Sequence, residues 1–97
     1  HRTPEPIRRS DGSIEGEVLV VDRFGNAVTN LIGRRGGALD VGSTRVPLHA
    51  TYAEAAPGEA SGVVGSTGFI EIAVRDGSAA ASLGLSRGAR VVLHPDR

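Results

Sequence analysis

The chain has 97 residues, of which 39% are hydrophobic but only 3% aromatic, with 14 Gly and no Cys. That length gives one domain with a modest core. The lack of cysteine excludes a disulfide framework, a thiolate nucleophile and a Cys-based zinc site, and the scarcity of aromatics leaves Val, Ile, Leu and Ala to fill the interior.

Eleven basic and eleven acidic residues cancel, every basic one is Arg, and neither sign forms a long run. The chain therefore has no basic stripe for nucleic acid, no Lys for a Schiff base or phosphate loop, and no amphipathic stretch for a membrane surface. No apolar run approaches the roughly 20 residues that span a bilayer. No charged-then-apolar signal opens the chain, so a cytoplasmic location is expected. The three histidines, His1, His49 and His94, lie far apart and lack paired ligand spacing, so no metal is expected. There is no Met, even at position 1, which reads as a trimmed product or a piece of something longer.

In chain order, residues 1–15 read as an extended leader, with Pro4, Pro6, an Arg pair and Ser-Asp-Gly-Ser, and the domain proper is expected over 16–97. Glu17 to Val21 is a β-branched run of strand length. Phe24-Gly25-Asn26 breaks it with two residues that tolerate positive φ, and Val28 to Ile32 resumes the extended pattern. This turn sets a flat apolar ring beside an amide that both donates and accepts, a pairing suited to a purine. A hairpin whose Phe enters the core and whose Asn serves the turn explains the same residues.

Gly33-Arg34-Arg35-Gly36-Gly37 reads as a polar loop. Ala38 to Val41 and Thr44 to Leu48 flank Gly42-Ser43, a two-residue hairpin of the type II′ class or a longer loop. His49 to Ala53 continues the extended pattern until the Pro57-Gly58 turn. Ser61 to Val64 is a short strand, Gly65-Ser66-Thr67-Gly68 a tight loop, and Phe69 to Val74 a strand of period two. After Asp76-Gly77, a Ser N-cap, an alanine run and Gly84 predict one or two helical turns near residues 78–83. Ala89 to Leu93 is the last strand. About six to seven short strands, one helix and many turns predict a mostly β fold, a small antiparallel barrel or sandwich.

Three segments then act together: Val21-Asp22-Arg23-Phe24-Gly25-Asn26-Ala27-Val28-Thr29-Asn30, Thr51-Tyr52-Ala53-Glu54-Ala55-Ala56-Pro57-Gly58, and Ser66-Thr67-Gly68-Phe69-Ile70-Glu71-Ile72-Ala73-Val74. In this order and spacing they closely resemble the C-terminal domain of the S-adenosylmethionine (SAM) hydrolases, the SAM hydroxide adenosyltransferases related to the fluorinase and chlorinase. The likeness runs from about Gly16 to Leu93.

The resemblance implies a β-barrel domain that follows a larger α/β N-terminal domain, in a homotrimer whose active sites lie at subunit interfaces. SAM is the substrate, water the acceptor, adenosine and L-methionine the products, and no cofactor is used. By position, Phe24 and Tyr52 would flank the adenine and Asn26 would bond its edge. Ser66, with the backbone of Thr67, would meet the methionine end, and the backbone near Ser78 and Ala79 would complete the adenine pocket. Thr67 stands where the halogenating relatives carry Arg, and Val28 where the fluorinase carries Trp, which points to the hydrolase branch. The family's ribose-binding carboxylate and water-positioning groups belong to the N-terminal domain, which this chain lacks. No catalytic residue is expected here, and the isolated 97 residues are expected not to turn over SAM.

Plainer readings stand beside these. Phe24 and Tyr52 could pack in the core of a chain this poor in aromatics. Ser66 has no base placed near it by sequence and is assigned hydrogen bonding. Glu71 is opposite in parity to Ile70 and Ile72 and reads as a solvent-facing carboxylate, contact with a ligand ammonium being the lesser reading. Asp22 and Arg23 read as structural, an exposed pair being worth about 0–1 kcal/mol. The run from Asp76 to Val91 also resembles the helix-and-strand segment of PDZ domains, which bind peptide C-termini by strand addition.

Overall fold

A computed structural model describes residues 3–33 and 36–96; Arg34 and Arg35 of the expected Gly33 to Gly37 loop, and the terminal His1, Arg2 and Arg97, lie outside them. The strands are β1 (Ile7–Arg8), β2 (Ile14–Val21), β3 (Ala27–Ile32), β4 (Ala38–Val41), β5 (Thr44–Pro47), β6 (Ala60–Val64), β7 (Phe69–Val74) and β8 (Arg90–His94). One helix, α1 (Ala79–Leu83), and one 3-10 turn (Tyr52–Glu54) complete the described elements.

The strands form one sheet in the order β5-β4-β8-β2-β3-β7-β6, every pairing antiparallel, with β1 added to β2. The sheet curls until its ends almost meet. Leu48, just after β5, bridges Gly62 of β6, and the His49 N–H donates to the Gly62 carbonyl at 2.9 Å. The expected mostly β, barrel-like fold with one short helix is what the chain adopts, with seven strands along the sheet.

β2 is the corner of this barrel. Its first half, Ile14 to Glu17, pairs with β8 and its second half, from Val18, with β3, the β2–β3 register shifting between Val18 and Val20. A bulge of this kind bends a strand but leaves backbone groups without ladder partners. Just before the bulge, where β2 passes from β8 to β3, Asn30 ties it to the leader: its Oδ1 accepts from the Glu17 N–H and its Nδ2 donates to the Pro4 carbonyl, both at 2.8 Å. Thr29, fully buried, donates to the Ile70 carbonyl at 2.7 Å and accepts from the Leu31 N–H at 3.1 Å. Thr29 and Asn30 are thus barrel residues. Asn30→Ala is expected to destabilise the fold by about 1–3 kcal/mol, because it strands a part-buried N–H; a urea midpoint matching the native chain would refute that role.

The core is aliphatic, as the composition requires. Val18, Leu31, Leu39, Val46, Ile70, Ile72, Val91 and Leu93 are buried within one cluster. Phe24 is instead 64% and Tyr52 42% exposed, so the core-packing reading of these two rings is set aside.

Within the exposed leader, Ile7 and Arg8 pair with Glu15 and Ile14, closed by the Arg9 N–H to the Ser13 carbonyl at 2.9 Å, and β2 starts at Ile14. One local expectation changes. His49 to Ala53 is not extended throughout, because the chain winds into the 3-10 turn at Tyr52. Arg75 holds that turn from outside, its guanidinium donating to the Ala55 carbonyl at 2.7 Å. The two-residue hairpin at Gly42-Ser43 forms as expected, with Val41 opposite Thr44 and Gly42 at φ 60.

Candidate functional site

The turn between β2 and β3 is built around one carboxylate. Asp22 Oδ1 accepts from the Phe24 and Asn26 N–H groups at 2.9 and 3.0 Å, and Oδ2 from Asn26 Nδ2 at 3.2 Å. The backbone closes the same turn through Gly25 N–H to Asp22 O and Asp22 N–H to Asn26 O, both 3.0 Å. Burial works to raise the Asp22 pKa, but the hydrogen bonds from Asn26, Phe24 and Gly25 outweigh it and hold the carboxyl below its ordinary value. A depressed folded-state pKa stabilises the turn above the ordinary carboxylate range, and that contribution is lost as pH falls through the depressed value.

Asn26 spends its Nδ2 on this turn and keeps its Oδ1 outside it. The Phe24 ring projects outward with the Arg23 guanidinium 4.9 Å from its centroid. Arg23 therefore stacks on Phe24 while Asp22 organises the loop, and the two do not pair with each other.

The start of α1 meets this turn. The Ala80 N–H donates to the Gly25 carbonyl at 2.9 Å, and Ser78, whose Oγ caps the helix by accepting from the Ala81 N–H at 3.1 Å, packs directly against Gly25. A side chain at Gly25 would stand 2.6 Å from the Ser78 Cβ. Ala79 is fully buried in the core cluster, so only its backbone is on this side.

A second group forms on the outer face of β7. Glu71 lies opposite Val28 of β3 and Val63 of β6, on the face away from Ile70 and Ile72. The Tyr52 hydroxyl donates to Glu71 Oε1 at 3.4 Å. The other end of the carboxylate rests on Gly65, where a Cβ would come within 2.6 Å of Glu71 Cδ. Gly65 begins the β6–β7 turn that carries Ser66 and Thr67, both exposed. That turn is closed by the Gly65 N–H to the Phe69 carbonyl at 2.9 Å and the Gly68 N–H to the Gly65 carbonyl at 3.0 Å.

Burial, then the Glu71 charge and hydrogen bond, then the Asp22 charge, raise the Tyr52 phenol above its ordinary 10.0. Tyr52 is the single tyrosine and there is no Trp, so an ultraviolet titration reads it directly. The midpoint is expected above 10.0 in the native chain and lower in Glu71→Gln; identical curves would show that the two side chains do not meet in solution.

The expected site residues thus fall into two neighbouring groups. Phe24, Asn26, Ser78 and Ala79 surround the Gly25 turn, while Tyr52, Ser66 and Thr67 gather about Glu71, and the Val28–Glu71 pairing together with the Asp22 charge felt at Tyr52 joins them. The surface is open. Sequence reasoning passed over Asp22 as an organiser and Glu71 as a centre. The parity of Glu71 did place it on the outer face, but nothing local showed that the loop around Tyr52 covers that face.

Residues 16–92 match the family described as the SAM hydroxide adenosyltransferase C-terminal domain. The chain belongs to that family. Within it, the chain is 45% identical over 89 residues to an (R)-S-adenosyl-L-methionine hydrolase of Thermus thermophilus, an alignment covering 91% of this chain and 34% of the relative. A crystal structure of a conserved hypothetical protein, also from Thermus thermophilus, superposes with a TM-score of 0.79 at 47% identity, over 82% of this chain and 34% of that one. A conserved protein from Thermotoga maritima gives 0.78 at 25% identity, over 96% and 40%. The chain therefore spans about a third of the length of the relatives it matches. The stretch from Asp76 to Val91, which in isolation resembles a PDZ segment, falls inside the family match.

Proposed function

We propose that this chain is the adenosine- and methionine-holding wall of a SAM-hydrolysing site. An N-terminal α/β domain would complete the site at a subunit interface of a homotrimer in the cytoplasm. The reaction is SAM plus water to adenosine plus L-methionine. What supports the reading is the family match and the hydrolase name of the Thermus relative, together with the contact that sets the Phe24–Asn26 turn against the Ser78–Ala80 backbone.

Phe24 and Tyr52 supply aromatic faces left out of the core, and Asn26 supplies an amide already oriented by Asp22. Ser66 and Thr67 would meet the amino-acid end. Attack at the ribose carbon needs an oriented water in a closed site, and this open surface is one wall of it. Thr67 and Val28 favour water over halide as the nucleophile, as the hydrolase branch requires.

Calorimetric titration of the 97-residue chain with adenosine tests the reading. Phe24→Ala and Tyr52→Ala are each expected to weaken binding by about 0.5–1.5 kcal/mol, roughly two- to tenfold. Binding that neither substitution touches would refute the site. Incubation with SAM is expected to release no adenosine or methionine from the chain by itself, and release would overturn the division of labour.

A further inference from the structure

We infer that His49 is a pH-sensitive latch, fastening the strap that runs from His49 to Glu59 across the seam of the barrel. This is a property of how the fold closes, independent of what the outer surface binds.

His49 joins three places. Its N–H donates to the Gly62 carbonyl at 2.9 Å, where β6 meets the chain leaving β5. Its ring reaches the middle and the far end of the strap: Nδ1 lies 3.3 Å from Glu54 Oε2, in the 3-10 turn, and Nε2 lies 3.9 Å from Glu59 Oε1, just before β6. Glu54 Oε2 also accepts from the Ala50 N–H at 3.3 Å, so imidazole and strap backbone share one carboxylate oxygen.

The two ring nitrogens are not equally served. Nε2 is buried and has no hydrogen-bond partner, an exception that calls for a physical reason. A neutral imidazole carries one N–H and one lone pair. The proton belongs on Nδ1, because a lone pair there would face the Glu54 oxygen, and the Nε2 lone pair is then left turned toward a second carboxylate. Protonation makes both nitrogens donors. Glu59, whose side chain is half exposed, can then swing from 3.9 Å into hydrogen-bond distance, and both contacts become charge-assisted.

The surroundings set the sign. Among the described residues, the ring is faced by Glu54 from the 3-10 turn and by Glu59 from the approach to β6, and the groove beside it is lined by the uncharged Gly33, Gly36, Leu48, Ala50 and Val64. Arg75 reaches the same turn but spends its guanidinium on the Ala53 and Ala55 carbonyls, at 3.4 and 2.7 Å. By linkage, a contact that only the protonated ring completes favours the fastened strap on the acid side and is lost as pH rises through the imidazole range.

Amide hydrogen exchange of the chain at about pH 5.5 and about pH 8, a span over which an ordinary His changes charge, tests this. Rates are compared as protection factors, so that the intrinsic pH dependence of exchange drops out. Protection of the His49, Ala50 and Ala55 amides is expected to be about fivefold greater at the lower pH, the scale of a half-exposed ion pair, while the Ile70 and Val91 amides of the core do not follow. His49→Gln keeps a donor but cannot charge, and is expected to hold the strap at the weaker level at both pH values. Glu59→Gln is expected to shrink the difference. His94→Gln is the control: His94 meets Asp40 at 2.7 Å on the β4–β8 side of the sheet, and its loss should leave the strap's pH response intact. A response that survives in His49→Gln, or that vanishes in His94→Gln, would overturn the latch. So would equal strap protection at both pH values in the native chain, or a change shared equally by the core amides, which would report global opening instead. Each of these outcomes leaves the adenosine reading untouched.

Discussion

Replacing Gly25 with alanine is expected to lower the stability of the barrel by about 2–4 kcal/mol and to abolish adenosine binding, combining left-handed backbone strain with overpacking. Gly25 sits at φ 84, where a Cβ is strained wherever it points. The new atom would also stand 2.6 Å from the Ser78 Cβ and 3.1 Å from its Cα. Ser78 cannot easily retreat, because its hydroxyl caps α1 and the next residue, Ala79, is fixed in the core. The turn carrying Phe24 and Asn26 must therefore separate from the helix start, breaking the bond from the Ala80 N–H to the Gly25 carbonyl. Gly58→Ala is the control: Gly58 has nearly the same φ, 81, but a Cβ there meets nothing within 4 Å, so it should cost only the backbone share, about 1–2 kcal/mol. Urea unfolding of both variants with unchanged m-values gives the comparison. Equal midpoints would mean that the Gly25–Ser78 contact does not constrain the turn.

Ile70→Ala is expected to cost about 2–5 kcal/mol, a large fraction of the roughly 5–15 kcal/mol that holds a domain of this size together. Ile70 is fully buried on the inner face of β7, where it approaches Gly62 beside Leu39 and Leu48. This is the seam at which the β5 end of the sheet reaches β6, and an aliphatic core without interior aromatics has no large neighbour able to swing into the gap. Loss of the Ile70 side chain should also loosen the seam, read as faster exchange of the His49 amide that bridges it. A variant within about 1 kcal/mol of the native chain would show that the seam relaxes around the cavity.

The regular elements were legible because their signals are local. The alternation of Phe69 to Val74, the Ser78 cap with Gly84 in the left-handed region at φ 65, and the Gly42-Ser43 hairpin all appear where the residues put them. What was not legible depends on contacts distant in sequence. The 3-10 turn at Tyr52 is held by Arg75, well beyond it in the chain, and the leader is drawn onto β2 by pairing that its own composition does not encode.

Thr29 and Asn30 give a sharper lesson. They follow Asn26 within the same motif, yet both are buried and bond within the barrel, Asn30 to the Glu17 N–H and Thr29 to the Ile70 carbonyl. Residues that travel together in a motif can do so for different reasons. Phe24, Tyr52 and Glu71 were ambiguous for the opposite reason, since exposure is decided by the closed barrel and cannot be read from a short segment.

The most direct test of the account is an amide NMR titration of the 97-residue chain with adenosine. Signals from Phe24 to Asn26, from the segment around Tyr52 and from Ser78 to Ala80 are expected to shift together along one saturating curve. Shifts confined to another part of the barrel, such as the Asp40–His94 side, or no shifts into the millimolar range, would contradict the claim that this surface holds the adenosine.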